Sequence, residues 1–164
     1  MRAVLGQQIS VKAATTIFRR IVERFGEAVE TPFEGLDRLT PTAERIATLP
    51  REELLVCGLT GRRADTLLAL ARAVCDQSLR LDASANPEPT RQCLLALPGI
   101  GPWTTEYIAM RALGDPDAFP GSDLGLLKGA GVSKPAELES RSQLWRPWRA
   151  YAAFHLWHSL GQGG

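Results

Sequence analysis

Long apolar runs are missing from this sequence: no segment approaches the ~20 consecutive apolar residues that a membrane-spanning helix needs. A secretory leader is missing as well, because residues 1–5 lead into Gly6, Gln7 and Gln8 without an extended apolar stretch or a cleavage site. We therefore expect a cytoplasmic protein that has no membrane partner.

Cysteine and histidine are scarce. Cys57, Cys75 and Cys93 are odd in number and widely spaced, which predicts reduced core thiols rather than a disulfide framework or a metal site. His155 and His158 lie three residues apart with no third ligand candidate. That pattern is more typical of packing or surface residues than of a zinc site.

Neither basic nor acidic residues are in clear excess. The net charge is +1, from 19 basic and 18 acidic residues. This balance argues against a protein that holds nucleic acid by bulk electrostatic attraction. It does not exclude one that uses backbone amides and a few well-placed arginines.

Strand patterns are also missing, and apolar residues recur at helical spacing. Ser10 is predicted to cap a helix that ends at Phe25 and is closed by Gly26, and Thr40 with Pro41 predicts the next helix start. Later starts are predicted at Pro50, Gly61, Pro135 and Pro147. The predicted fold class is all-α, with about eight to ten helices and short connections.

The most informative stretch, residues 97–104, reads Leu-Pro-Gly-Ile-Gly-Pro-Trp-Thr. Gly99 and Gly101 can adopt positive φ, so the chain can reverse sharply between two helices and expose backbone N–H groups. Those donors lie beside a helix N-terminus, which favours an anion such as a phosphate, and Ile100 can plug the groove between the helices. An ordinary turn between helices is the alternative that the glycine spacing leaves open.

This string resembles the helix-hairpin-helix motif of DNA-repair glycosylases, Leu-Pro-Gly-[Ile/Val]-Gly. Four stretches are similar to one branch of that superfamily, 3-methyladenine DNA glycosylase II, and follow its order: residues 2–10, 97–104, 119–128 and 145–151. The resemblance implies a two-lobed helical bundle over residues 1–164, with the hairpin at 90–113 and the first and last helical segments packed as one lobe. The N-terminal α+β lobe of full-length bacterial members has no counterpart in this sequence.

Asp123 is the predicted catalytic residue. After a Pro-Gly-Ser turn, a helix N-cap is the commoner use of an aspartate, but the resemblance implies that Asp123 occupies the family's catalytic place downstream of the hairpin. Cleavage of the bond between a base and deoxyribose develops positive charge on the sugar. A carboxylate stabilises that cation and can orient or deprotonate the attacking water.

Position 103 predicts the reaction type. In bifunctional members of the superfamily a lysine at this place forms a Schiff base with the sugar and allows strand cleavage, whereas Trp103 cannot be a nucleophile. The four-cysteine iron–sulfur loop of endonuclease III is also missing from the sequence. The resemblance therefore implies a monofunctional DNA glycosylase without AP lyase activity, which hydrolyses the N-glycosidic bond of alkylated purines such as 3-methyladenine in base excision repair.

Aromatic residues are expected to form the base pocket. Trp103, Tyr107 and Trp157 match positions that line it in the family, and Leu124 stands where the relative has an aromatic residue. Trp103 and Tyr107 are four residues apart and share a helix face. Stacking of a cationic alkylated purine on an indole is worth about 0.5–2 kcal/mol. Ordinary core packing is the alternative for all three aromatic residues.

The resemblance also implies contacts with DNA. Gln7 and Gln8 are both expected to contact DNA, and Gln8 aligns with the residue that wedges into the minor groove when the base is flipped out. DNA contacts are also expected at Gly99, Ile100, Gly101 and Thr104, with the phosphate at Gly99, Gly101 and the N–H of Thr104.

In relatives, backbone carbonyls of the hairpin hold a monovalent cation. By position these carbonyls belong to Leu95, Leu97 and Ile100, so Na⁺ or K⁺ is expected there when DNA is bound, and no other cofactor.

Two other functions stay open from the sequence: a non-catalytic DNA-binding module that uses the same hairpin, and a glycosylase for deaminated or oxidised bases. A helical interaction domain unrelated to DNA would leave residues 97–104 unexplained. The expected partner is double-stranded DNA with damaged bases, bound by a monomeric bacterial enzyme associated with the nucleoid.

Overall fold

A computed structural model describes residues 1–7 and 9–161. The helices are α1 (Arg2–Leu5), α2 (Val11–Phe25), α3 (Ala43–Ala47), α4 (Arg51–Val56), α5 (Gly61–Cys75), α6 (Pro87–Ala96), α7 (Pro102–Ile108), α8 (Leu124–Gly129), α9 (Pro135–Ser142) and α10 (Arg149–Gly161). A π-helical turn, Ala109–Leu113, continues α7, and a 3₁₀ turn, Gln143–Trp145, continues α9. Outside the helices of the described ranges, extended backbone pairs only in an isolated bridge between Ala28 and Arg38. The all-α prediction is confirmed.

The chain divides into two compact units. Unit 1 comprises residues 1–80 and 96–100, and unit 2 comprises residues 81–95 and 101–164. The chain therefore passes from one unit to the other inside the predicted hairpin. It stays a prediction that the first and last helical segments pack as one lobe. In the part of the chain that the structure describes, no helix combines the length and apolar character that crossing a bilayer requires.

Unit 1 is organised around α5, which packs against α1, α3 and α4. One apolar face of α5 is buried, as its residues Ala64, Leu67, Leu68 and Ala71 show. Its partners contribute Val4, Leu5, Ile46 and Leu54, all almost completely shielded from solvent. Burial of each such side chain stabilises the fold by about 1.5–3 kcal/mol.

Unit 2 has its own apolar core. In it, α8 packs against α10, the π-helical turn continues α7, and α9 leads through the 3₁₀ turn toward α10. The core residues are Ala109, Met110, Leu113, Ala118, Phe119, Leu126, Leu127, Leu138, Ala150 and Ala153. Ala118 and Phe119 lie in the loop between the π-helical turn and α8, so apolar contacts with the core hold this loop in place.

Helix starts agree only in part with the sequence-based predictions. The Ser10 hydroxyl accepts a hydrogen bond from the Ala13 N–H and caps α2 as predicted. The next cap is Thr42, whose hydroxyl accepts from the Arg45 N–H, so the prediction at Thr40 was wrong by two residues. The last helix begins at Arg149 rather than Pro147.

The late start of α10 has a local cause. The Trp148 N–H donates to the Trp145 carbonyl at 2.8 Å, so residues 145–148 form a turn rather than the first turn of a helix.

Gly26 follows α2 for a reason other than the predicted one. Its φ of −73° and ψ of 147° are those of extended backbone, not of a left-handed cap. A Cβ at this position would clash with the carbonyl oxygens of Val22 and Leu39. Glycine is needed here because two backbone segments approach closely, which helical periodicity does not reveal.

The cysteine prediction was correct for one residue of three. Cys57 is buried, whereas Cys75 and Cys93 are exposed. Both exposed cysteines lie on helices in otherwise apolar sequence, so the pattern predicted burial that the packing does not provide. His155 and His158 are exposed on α10.

Candidate active site

Residues 96–100, the turn of the hairpin, belong to unit 1. Gly99 has a φ of +81°, as predicted, and a Cβ there would clash with the hydroxyl of Thr66. Two constraints, conformation and close approach, therefore require glycine at this position. Ile100 is buried, and its N–H donates to the Leu97 carbonyl at 3.2 Å.

The second hairpin glycine behaves differently. Gly101 precedes α7 with a φ of −107° and a ψ of 178°, so the prediction of positive φ was wrong there. A Cβ would meet no atom within 4 Å, which means that the described chain itself does not demand glycine. Pro102 occupies the first position of α7, where its missing N–H costs nothing, and Thr104 is buried in the first turn. Phosphate binding at Gly99, Gly101 and Thr104 stays a prediction.

Gln7 makes a contact that the sequence did not predict. Its side-chain N–H donates to the Gly99 carbonyl at 2.9 Å, across 92 residues of sequence. The Arg63 guanidinium in turn donates to the Gln7 carbonyl. The neighbouring wedge candidate, Gln8, lies outside the described residues.

The carbonyls predicted to hold a monovalent cation have suitable chemistry. Carbonyl oxygens are hard donors with two lone pairs each, and the Leu97 oxygen uses one of them for the Ile100 N–H. Leu95 lies in the last turn of α6, where helix carbonyls lack intrahelical donors. Binding of Na⁺ or K⁺ at these carbonyls stays a prediction.

Asp123 sits in unit 2 at the N-terminus of α8, half-buried. One carboxylate oxygen accepts from the Leu126 N–H at 2.9 Å and from the Trp157 indole N–H at 2.9 Å. The other accepts from the Trp103 indole N–H at 2.8 Å. Asp123 therefore caps α8 and also accepts two further hydrogen bonds, whereas an ordinary N-cap needs only the bond from the Leu126 N–H. Three N–H donors orient the carboxylate and stabilise its negative charge.

The predicted aromatic residues assemble beside this carboxylate. The rings of Trp103 and Tyr107 stack with centroids 5.3 Å apart and planes 15° apart. Tyr107 lies 6.2 Å from Trp157, whose other neighbour is Phe154 at 5.8 Å. All three predicted rings are only partly buried, and Trp157 also packs against the apolar core of unit 2. Phe154, on the same helix as Trp157, was missed because nothing in its spacing distinguishes it from a packing residue.

Leu124 follows Asp123 directly and is 82% exposed. It therefore presents an apolar side chain to solvent next to the carboxylate. A role for Leu124 in the base pocket stays a prediction.

Two arginine clusters hold the loop that leads to Asp123, and no local sequence pattern predicts either of them. In the first, Arg91 donates to Glu106 at 2.7 Å and to Asp115 at 2.6 Å. Glu106 also accepts from the Phe119 N–H at 3.0 Å. The hydrogen bond that Arg91 donates to Glu106 raises the pKa of Arg91 above its ordinary value, more than burial lowers it.

The second cluster is centred on Asp117. Arg149 donates to both of its oxygens, at 2.9 and 3.0 Å, and Arg146 donates at 2.9 Å. Burial acts to raise the pKa of Asp117, but the hydrogen bonds from Arg149 and Arg146 outweigh it and lower the pKa. Residues 115–119 are thus fixed from two sides, only a few residues before Asp123.

The sequence matches proteins of known family. Residues 1–150 match the family described as HhH-GPD superfamily base excision DNA repair protein. Over 164 residues the chain is 46% identical to a Mycobacterium tuberculosis protein named probable bifunctional transcriptional activator/DNA repair enzyme AlkA, covering 98% of this chain and 32% of that protein. It is 31% identical over 161 residues to DNA-3-methyladenine glycosylase 2 of Escherichia coli, covering 98% and 56%. The chain spans about a third to just over half of these relatives.

Solved structures agree with these sequence matches. A 3-methyladenine DNA-glycosylase from Archaeoglobus fulgidus superposes with a TM-score of 0.83 at 28% identity, covering 95% of this chain and 55% of that one. The Schizosaccharomyces pombe 3-methyladenine DNA glycosylase Mag1, in complex with abasic DNA, gives 0.78 at 25% identity, covering 99% and 79%.

Proposed function

We propose a function that starts from one established fact: the chain belongs to the HhH-GPD superfamily of base excision DNA repair proteins. We infer that it is a monofunctional DNA glycosylase that removes alkylated purines from double-stranded DNA and leaves an abasic site. The names of its relatives support this substrate class. We extend the proposal to a monomer that needs no redox or iron–sulfur cofactor, acts on chromosomal DNA in the cytoplasm, and binds Na⁺ or K⁺ at the hairpin.

One observation carries the proposal. The Asp123 carboxylate is fixed by the indole N–H groups of Trp103 and Trp157, which belong to the same aromatic cluster as Tyr107. A carboxylate beside stacked, partly exposed rings is what removal of a flipped, cationic base requires. A module that only binds DNA needs no such carboxylate.

The chemistry follows from these groups. When the C1′–N bond breaks, its electron pair leaves with the base, and positive charge develops on the sugar. The Asp123 carboxylate stabilises this charge, and water adds to C1′ and loses a proton. Methylation has already made the departing purine electron-poor, so the aromatic faces favour the lesion over an unmodified base. Trp103 offers an indole N–H and no amine, so no Schiff base forms at this position.

The test is single-turnover release of 7-methylguanine and 3-methyladenine from a methylated duplex. We expect Asp123→Asn, which keeps the size of the side chain, to slow release by at least about 100-fold through loss of transition-state charge stabilisation. Lys128→Met, an exposed substitution in the last turn of α8, serves as the control for disturbance of this helix, because it leaves all three N–H donors to Asp123 in place.

Three outcomes separate the candidate functions. Equal release by the wild type and Asp123→Asn would remove Asp123 from the mechanism. Duplex binding without any base release by the wild type would favour a non-catalytic DNA-binding module. Release of deaminated or oxidised bases in preference to methylated ones would change the substrate class.

A further inference from the structure

Gln7 is engaged with the protein through both its side chain and its main chain. The side-chain N–H donates to the Gly99 carbonyl at 2.9 Å, and the Gln7 carbonyl accepts from the Arg63 guanidinium. Gly99 is held from another side by Thr66, whose hydroxyl is buried against it and donates to the Arg62 carbonyl at 2.9 Å. All of these residues belong to unit 1.

We propose that Gln7 is a positioning residue rather than a ligand of DNA. Together with Arg63, Gln7 holds the segment after α1 against the hairpin at Gly99. Two segments that are expected to contact DNA therefore keep a fixed position relative to each other. The inference rests on the proposed glycosylase function and deepens it. Gln7 and Gln8 were both predicted as direct DNA contacts; the geometry assigns a different task to the first.

One donor of the Gln7 side chain is already occupied. The amide donates an N–H to a carbonyl 92 positions away, and contact of that N–H with a base or phosphate would require the bond to break. The Gly99 carbonyl is also not one of the three carbonyls expected to hold the monovalent cation. Gln7 therefore fastens the hairpin without competing for the cation.

Gln7 is also tied to α5. Its carbonyl accepts from the Arg63 guanidinium on α5, while its side chain donates to the hairpin at Gly99. Misplacement of a reacting or inserting group by about 1 Å can cost 100-fold in rate, so two such bonds have a measurable consequence.

The experiment compares Gln7→Met, Arg63→Met and the double variant with the wild type. Methionine keeps an unbranched side chain of similar length but cannot donate a hydrogen bond. Three quantities are measured: affinity for an undamaged duplex by fluorescence anisotropy, the single-turnover rate of 7-methylguanine release, and the fluorescence of 2-aminopurine placed beside a stable abasic site, which rises when the neighbouring bases unstack.

We expect undamaged-duplex affinity to change by less than about twofold, because phosphate contacts dominate that binding. Base release and the 2-aminopurine signal should each fall by about fivefold to tenfold, the rate equivalent of one hydrogen bond. The double variant should resemble the single variants, since both bonds hold one segment. Arg63→Lys, which can still donate to a carbonyl, should recover part of the loss.

Matched controls isolate the proposed contact. Gln143 also donates from its amide to a backbone carbonyl, that of Glu139 at 3.2 Å, on α9. Gln143→Met therefore removes a similar bond elsewhere, together with a 3.1 Å bond to the Glu139 carboxylate, and should leave all three quantities unchanged. Arg62→Met removes a positive charge beside Arg63 without removing the Gln7 contact. Thermal melting of each variant checks that the fold is retained.

Several outcomes would overturn the inference. If Gln7→Met weakened undamaged-duplex binding as much as base release, Gln7 would be an ordinary DNA contact. If Arg62→Met matched Arg63→Met, charge rather than the Gln7 carbonyl would matter, and additive effects in the double variant would mean two independent residues. If the wild type released no methylated base, the proposed function would fail. The 2-aminopurine fluorescence of Gln7→Met compared with the wild type would still show whether Gln7 positions the neighbouring segment.

Discussion

Asp123 illustrates how one residue combines a structural and a chemical role. The Leu126 N–H bond is that of an N-cap, and it fixes the carboxylate at the start of α8. The Trp157 N–H donates to the same oxygen as the cap, and the Trp103 N–H donates to the other carboxylate oxygen. Because the same rings form the aromatic cluster, the residues that position the carboxylate also form the surface beside it. A substitution of Trp103 or Trp157 therefore affects both the position of the carboxylate and the aromatic surface beside it.

Position 103 can be tested by changing the type of reaction. We expect Trp103→Lys to place a primary amine near the sugar and to give protein–DNA adducts that borohydride traps, since an amine attacking C1′ forms a reducible Schiff base. Adducts are detected by denaturing electrophoresis after reaction with methylated duplex.

Trp103→Met is the matched control, because it removes the indole without adding a nucleophile and should give no adduct. Absence of adducts from the lysine variant, with base release retained, would contradict the assignment of position 103 as the determinant of lyase chemistry.

The elements around Asp123 are connected by ion pairs rather than by apolar packing alone. Arg91 on α6 contacts Glu106 on α7, and both reach the loop through Asp115 and the Phe119 N–H. The helix before the hairpin, the helix after it and the loop before α8 are thereby joined in one cluster. No single stretch of sequence reveals this, because the partners lie 13 to 24 residues apart.

The cluster predicts a large loss of stability when its centre is removed. Arg91 is only 17% exposed, and Arg91→Met would leave two partly buried carboxylates without a cation. We expect the free energy of unfolding to fall by about 2–4 kcal/mol, in line with the breaking of a buried ion pair. Urea denaturation provides the measurement.

Arg24→Met is the comparison. Arg24 pairs with Glu53 at 2.7 Å, but its side chain is 47% exposed, so the loss should stay below about 1 kcal/mol. Equal losses for the two variants would show that burial of the Arg91 cluster does not matter.

At the scale of the whole molecule, the chain consists of two units whose boundary runs through the hairpin. Unit 1 contains the Gln7–Gly99 contact, and unit 2 contains Asp123 with its aromatic cluster. Each unit has an apolar core and surface ion pairs of its own. We therefore expect paired carboxylates in each unit to contribute to the acid sensitivity of folding.

Asp117 is the carboxylate for which a pH dependence is expected. Its pKa is lowered in the folded protein, so its contribution is present above the unfolded pKa, about 3.9, and is lost as pH falls through the folded value. We expect Asp117→Asn to lower the free energy of unfolding by about 1–2 kcal/mol at pH 7. The difference from the wild type should shrink as pH falls below about 4.

The check is urea denaturation of both proteins at pH 7 and at pH 3. Asp37→Asn, a substitution of an exposed aspartate, serves as the control and should change stability little at either pH. A difference for Asp117→Asn that stayed constant over this range would mean that the ion pairs with Arg146 and Arg149 are not the cause.

The sequence by itself determined the elements and the local chemistry of this protein. Helical periodicity, the Ser10 cap and the Leu-Pro-Gly-Ile-Gly string depend on neighbouring residues, and they predicted an all-α chain with a tight turn at Gly99. Residues four apart on one helix, Trp103 and Tyr107, were predicted to share a face and do stack.

Only the tertiary structure decided which distant residues meet. It brought Trp157 to Asp123 across 34 residues and Gln7 to Gly99 across 92. It also decided that Gly26 is required by close backbone approach and that Gly101 has ordinary extended backbone. The physical reason is common to these cases: a hydrogen bond or a steric contact between segments depends on how helices pack, and packing is not encoded in any local spacing.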